Sequence, residues 1–227
     1  MKVQRPVPRL ATTLALLAAC AGAQAAPITL SGYSLGSENI DTSMSNTVTV
    51  GQFKGRANLG TGTQDFLTFC TEISQGFNWN TSYDYALVAN GSARGFSNSQ
   101  ADLLGRLYTV AGDIDSKTKS VAFQLSVWEI LYDTSNRLSL GSGNFLLDSG
   151  GSSAVRNQAA TWLSGLAGVS SDYQVQRLYS ANAQDLIFAT HKPRPDSSNQ
   201  VPEPASWALG LTALAAMALV RRRTRKA

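Results

Sequence analysis

Two residues of this sequence stand out for the chemistry they could do. Cys70 lies in Phe69-Cys70-Thr71-Glu72, at the end of an apolar run. Gln124 lies in Phe123-Gln124-Leu125-Ser126-Val127-Trp128, inside a longer one. The chain has two cysteines. Cys20 falls in an N-terminal leader, where it is either removed or lipidated. Cys70 is then the one thiol of the body, and no intramolecular disulfide can form. A thiol with no redox partner is a free nucleophile once ionised. A carboxamide inside an apolar helix needs a partner, because a buried amide left unpaired costs about 1–3 kcal/mol. Each residue also has an ordinary explanation. A lone strand cysteine is usually a small buried hydrophobe, and a buried glutamine is usually hydrogen-bonded to backbone.

Other constellations are absent or weak. The single histidine, His191, sits beside two prolines in what reads as a linker, so a His-dependent triad or an ordinary zinc site is excluded. No glycine-rich loop between strand and helix carries a Lys for phosphate. Asp113 and Asp115 precede a helix, but the alternating oxygen ligands and distant Glu of a calcium loop are missing, so capping and turn roles are expected. Glu72, Glu129 and Asp133 are the carboxylates available for glycoside hydrolysis, which needs a pair about 5–10 Å apart. Glu129 and Asp133 are one helical turn apart and read as a solvated edge. No metal and no cofactor is called for.

The Cys70 and Gln124 segments together resemble the thioester domains of bacterial surface adhesins. Those domains pair a Cys after an aromatic residue with a Gln in an aromatic/aliphatic-Gln-x-small-aliphatic-Trp motif. The resemblance implies that the Cys70 thiol attacks the Gln124 carboxamide, ammonia leaves, and an internal thioester forms. Such a bond can acylate a surface amine once, so the protein is not expected to be a turnover enzyme. The adhesins of that family are typically Gram-positive wall proteins, and a shared fold without the bond is the alternative.

These residues require a body that positions them. Strands are expected at Ile28 to Leu35, Thr47 to Phe53, Gln64 to Ile73 and Ser82 to Ala89. Gln64 to Ile73 is apolar on both faces, as in a central strand. Gly51, Gly55, Gly60 and Gly62 read as a loop or turn. The period then changes. A helix from Gln100 to Val110 capped by Ser99, one from Lys117 to Tyr132 capped by Asp115 or Ser116, and one over Ser153 to Leu166 are expected. Gly141 to Gly151 reads as a loose connection. Strands return at Tyr173 to Tyr179 and Gln184 to Ala189. Separate strand and helix runs predict an α+β fold: a mainly antiparallel sheet or sandwich with a helical middle, plus a C-terminal membrane helix.

The ends place the body in the cell. Lys2, Arg5 and Arg9, then Leu10 to Ala19, then Ala23-Gln24-Ala25, form a signal peptide over residues 1–25. Leu17-Ala18-Ala19-Cys20 offers a competing lipoprotein cut. Residues 26–190 form the exported domain, and 191–204 a Pro/Ser-rich linker. Residues 205–220 carry no charge and form a short membrane helix, with 221–227 as a basic cytoplasmic tail. Arg221, Arg222, Arg223 and Arg225 can snorkel at its end. Three basic residues belong to the leader and five to the tail. The rest holds 11 Lys and Arg against 15 Asp and Glu, so the net +4 of the chain reflects targeting and not a nucleic-acid partner.

Val201-Pro202-Glu203-Pro204, the apolar stretch and the arginine cluster resemble the PEP-CTERM sorting signal of Gram-negative bacteria. That resemblance implies an exosortase-type partner, transient residence in the inner membrane, cleavage near the motif, and final placement at the cell surface or in the extracellular matrix. The expected role is adhesion or exopolysaccharide association, through exopolysaccharide or surface amines. The alternatives are a purely structural or binding domain and, third, an envelope polysaccharide hydrolase.

Overall fold

The computed structural model describes residues 25–193, apart from residue 61 and residues 134–136. Residues 1–24 of the leader, the Val201–Pro204 motif, the 205–220 stretch and the arginine cluster lie outside the described residues. The body is mostly antiparallel sheet with three helices, which is the α+β class expected from the sequence.

In chain order the elements are β1 (Ala25–Tyr33), β2 (Glu38–Thr42), β3 (Ser45–Val50), β4 (Phe53–Asn58), β5 (Thr63–Thr68) and β6 (Ser82–Val88). They continue with α1 (Asn98–Ala111), α2 (Lys117–Tyr132), β7 (Leu147–Ser149), α3 (Ser153–Gly165), β8 (Tyr173–Tyr179) and β9 (Leu186–His191). Six strands pair in the order β5-β4-β1-β6-β8-β9, and three form a second sheet, β3-β2-β7. Among the described residues no helix is long and apolar enough to cross a membrane.

The helix α2 is the centre of the core. Ser116 caps it by accepting from Lys119 N at 3.3 Å, satisfying one of the amides that a helix start leaves open. Every residue from Ser120 to Ile130 is buried, so the helix has no solvent face over these turns. At its N-terminal end the Ser120 hydroxyl accepts from Gln52 N at 2.7 Å, which ties the helix to the turn between β3 and β4. Helix α1 is capped by Ser97 rather than Ser99. The reason is a capping box: Ser97 Oγ accepts from Gln100 N, and Gln100 Oε1 accepts from Ser97 N at 3.0 Å.

The structure also corrects the strand expectations. The Thr47–Phe53 run is two elements, β3 and β4, broken by Gly51-Gln52. Gly55 is not a turn residue. It lies inside β4, where a Cβ would run into the Thr29 carbonyl oxygen of β1, next to a bulge between Leu30 and Gly32. The segment read as a central strand stands at the edge of the pairing order. Alternation explains why: Phe66 and Thr68 turn inward, while Leu67 is 58% exposed. The Gly141–Gly151 connection contains β7, and His191 belongs to β9 rather than to the linker; the compact unit ends there.

The chain beyond β5 closes the large sheet on itself. Ile187 N donates to Phe69 O at 3.0 Å and Thr71 N to Asp185 O at 2.9 Å. Cys70 faces Leu186 between these two bonds as an isolated antiparallel bridge. Thr68 Oγ1 adds a bond to Ile187 O at 2.7 Å. The two outer strands of the six-stranded order therefore meet at one end, as strands do where a barrel closes.

Candidate functional site

The closing seam decides where Cys70 points its polar groups. Its bonds to β9 are made by its neighbours, Phe69 O and Thr71 N. The N–H and C=O of Cys70 itself face away from β9. Gln124 takes both. Cys70 N donates to Gln124 Oε1 at 3.0 Å, and Gln124 Nε2 donates to Cys70 O at 2.8 Å. One carboxamide thus stands where the peptide of a further strand would stand. Cys70 is 3% exposed and Gln124 0%.

The two residues paired from sequence are therefore in direct contact. One premise is corrected. The buried Gln124 amide is satisfied by main chain and does not need a covalent bond to Cys70 to escape a desolvation cost. The aromatic residues before each member also meet: the Phe69 and Phe123 rings lie 4.5 Å apart. Ser126 is buried and turns its hydroxyl back to Ala122 O at 2.9 Å. Trp128, one turn after Gln124, is 1% exposed, and its indole N–H has no hydrogen-bond partner among the described residues.

Burial pushes the Cys70 thiol well above its ordinary range. The backbone of Cys70 pulls it back, the Glu72 carboxylate adds to the rise, and the Trp128 indole opposes it. The resting thiol is neutral. Its hydroxyl neighbours respond in the same way. Burial pushes Tyr33 and Tyr132 up to about 12, and a thiolate at Cys70 adds to the rise in both.

Above Cys70 and Trp128 lies a cavity of about 290 Å³. Its walls include Tyr33, Phe53, Phe77 and Trp79. The Phe77 and Trp79 rings are 4.8 Å apart at 86°, and Trp79 also packs edge-on against Tyr33 at 5.3 Å and Phe53 at 5.7 Å. Trp79 remains 39% exposed. The other lining residues are uncharged, with Gln75, Gln184, Thr49 and Ser74 supplying polar groups. The sequence reading missed this wall. Its signal was Phe77-Asn78-Trp79, two aromatics in an aperiodic loop shortly after Glu72.

The remaining sequence candidates separate. Glu72 Oε1 accepts from Asp185 N at 2.9 Å, and its carbonyl accepts from Gln184 Nε2 at 2.6 Å, so it braces the seam from the other side. Glu129 and Asp133 are not a solvated edge. They are 0% and 8% exposed because α2 has no free face there. Glu129 Oε1 accepts from Ser139 N at 2.6 Å. Burial raises its carboxyl to about 7; the Ser139 bond opposes this, and Asp133 adds to it. Asp115 pairs with Lys119 at 2.9 Å on the surface, and Lys119 also reaches Asp113 O. The His191 ring lies 4.1 Å from that of Tyr173. Among the described residues no three His, Cys, Asp or Glu side chains are grouped to hold a metal ion.

Fold and site define a class: an α+β domain whose antiparallel sheet closes over a buried Cys–Gln pair, beneath an aromatic pocket. The chain matches no family model, no curated protein and no solved structure.

Proposed function

We propose that this is an exported surface or matrix protein, acting in adhesion or exopolysaccharide association through an internal thioester between Cys70 and Gln124. The observation that carries the reading is the docking of the Gln124 carboxamide on Cys70 itself. The acyl carbon and the thiol are thereby held on facing residues. Cys70 N–H already donates to the carbonyl oxygen on which charge would develop. In the bond-forming step the Cys70 sulfur adds to the Gln124 carboxamide carbon, the C–N bond breaks, and ammonia leaves with the thiol proton. Acylation of a surface amine would reverse the logic: a C–N bond forms and the C–S bond breaks.

The rest of the reading concerns the cell. It takes the Val201–Pro204 motif, the 205–220 helix and the arginine cluster as a PEP-CTERM-type signal for an exosortase-type enzyme. The inner membrane is then a transient station before the cell surface or matrix. It also takes the two sheets as layers of a sandwich around the helices.

The twin hydrogen bonds favour a second reading, in which Gln124 is a clamp on the closing seam and no covalent chemistry occurs. Intact-mass measurement separates the two. The thioester reading expects a mass lower by one ammonia than the sequence gives; that deficit is absent in Cys70→Ala, and methylamine converts it into the mass of the methylamide adduct. Full mass with a thiol freely alkylated after unfolding leaves only the clamp. A hydrolase built on Glu129 and Asp133 is disfavoured, since their burial keeps a polymer away.

A further inference from the structure

Resting on the thioester reading, we propose that the pocket above Cys70 takes a single amino-sugar ring and delivers its amine to the Cys70–Gln124 acyl group. Three features of the cavity select this nucleophile over the ammonium of a lysine side chain.

The first is the wall. Trp79, Tyr33, Phe53 and Phe77 form a continuous aromatic surface, and Trp79 keeps 39% of its area open to solvent although it packs on all three others. Aromatic faces of this kind stack on the C–H face of a pyranose. A cavity of about 290 Å³ is at the small end for ligand sites, which suits one ring rather than an extended chain.

The second is the polar inventory. Gln75 Nε2 donates to Ala181 O at 3.4 Å and Gln184 Nε2 to Glu72 O at 2.6 Å. Both amide nitrogens are thus held by backbone. Both side chains line the cavity, and a carboxamide oxygen can accept hydrogen bonds from sugar hydroxyls. A lysine butyl chain has no hydroxyls to offer them.

The third is the absence of acid–base groups from the lining, which among the described residues holds no Asp, Glu, Lys, Arg or His. Nothing there would anchor an ammonium or remove its proton. A lysine amine, with a pKa of about 10.4, arrives protonated and unreactive at neutral pH. An amine flanked by ring hydroxyls is less basic, because the oxygens withdraw electrons, and a larger share arrives neutral. On attack, its nitrogen bonds to the Gln124 acyl carbon, the C–S bond breaks, and one amine proton ends on the Cys70 sulfur.

The test follows adduct formation by intact mass on the whole mature protein, with glucosamine and methylamine as competing probes at matched free-base concentration. Glucosamine is expected to react at about tenfold lower half-saturation than methylamine, and N-acetylglucosamine to slow it competitively without giving an adduct. Trp79→Ala should weaken glucosamine half-saturation by about tenfold, from the loss of one stacking contact. The same variant should leave the methylamine rate within twofold, which also shows that it folds and carries the acyl group. Gln184→Leu should weaken glucosamine in the same selective way. Equal rates for the two amines, or equal losses in Trp79→Ala, overturn the proposal. A parent protein that has lost no ammonia overturns the thioester reading itself. In that event, quenching of tryptophan fluorescence by N-acetylglucosamine, compared in wild type and Trp79→Phe, still reports whether the pocket holds a sugar ring.

Discussion

Replacing Gln124 by leucine removes one side chain but unpairs two main-chain groups. The N–H and C=O of Cys70 are both bonded to the Gln124 carboxamide, at 3.0 and 2.8 Å, in a site that excludes water. Leaving a buried donor or acceptor unmade costs about 1–3 kcal/mol. Two such groups cost roughly 2–6 kcal/mol, and the apolar leucine offsets about 1 kcal/mol of that. Cys70→Ala is the contrasting variant. It deletes only the sulfur and keeps both backbone bonds, so as a cavity change it should cost about 1 kcal/mol.

A thioester alters the comparison. It would close a loop of 54 residues, and such a cross-link stabilises by roughly 4 kcal/mol through the unfolded state. Both variants would lose that contribution. Guanidinium unfolding, followed by tryptophan fluorescence and circular dichroism, reads the difference. A clamp alone gives a Gln124→Leu loss of about 1–5 kcal/mol, centred near 3, against about 1 kcal/mol for Cys70→Ala. A cross-link brings the Cys70→Ala loss to roughly 5 kcal/mol, with strong non-additivity in the double variant. A Gln124→Leu loss below about 1 kcal/mol refutes the geometry argued here, because neither account permits it.

Two further outcomes follow from the same helix. Trp128→Phe keeps an aromatic ring and removes an unpartnered indole N–H from the cavity that Cys70 lines; thioester formation should persist, while aminolysis by methylamine, which gains from a donor to the departing sulfur, slows by about 10–100-fold, and an unchanged rate removes Trp128 from the reaction. The Glu129 carboxyl is raised from 4.5 to about 7, first by burial, so its contribution is complete below about pH 4.5 and is lost as pH rises through about 7. Unfolding free energy should fall by roughly 3 kcal/mol between pH 5 and 8, and Glu129→Gln should flatten that slope.

What could be read from the sequence was whatever burial alone determines. Helix α2 has the bounds expected from its apolar run and Ser116 cap, and β8 runs over the expected Tyr173–Tyr179. These elements are buried enough for local pattern and tertiary structure to agree. The strand β2 escaped notice because Glu38, Asn39, Asp41 and Thr42 leave Ile40 as its one apolar residue. Lys54, Gly55 and Arg56 disguised β4 as a loop, since what places a glycine there is the backbone of β1, far away in sequence. At the site, the Cys70–Gln124 pair was legible through its flanking residues. Which atoms of Cys70 the amide takes was not, because that depends on the bonds from Phe69 and Thr71 to β9. The Glu129–Asp133 spacing was visible, but its burial was not read from a helix apolar nearly all round.

The closing seam is what brings Gln124 to Cys70. A cysteine inside a regular strand would spend its N–H and C=O on neighbouring strands and leave a buried amide no reason to approach. Here β9 bonds the residues on either side of Cys70, and the outward peptide groups fall to α2. Helical spacing then puts Gln124 on the Cys70 backbone and Trp128 on the wall of the cavity that Cys70 lines. A single turn of a fully buried helix therefore supplies a carboxamide carbon, held by a hydrogen bond to its oxygen, and an unpartnered indole N–H beside the same cavity. Burial keeps that sulfur protonated and disfavours thiolate. The same arrangement serves as a clamp when the bond is absent and as a protected acyl donor when it is present. The sulfur of Cys70 is the atom that distinguishes the two.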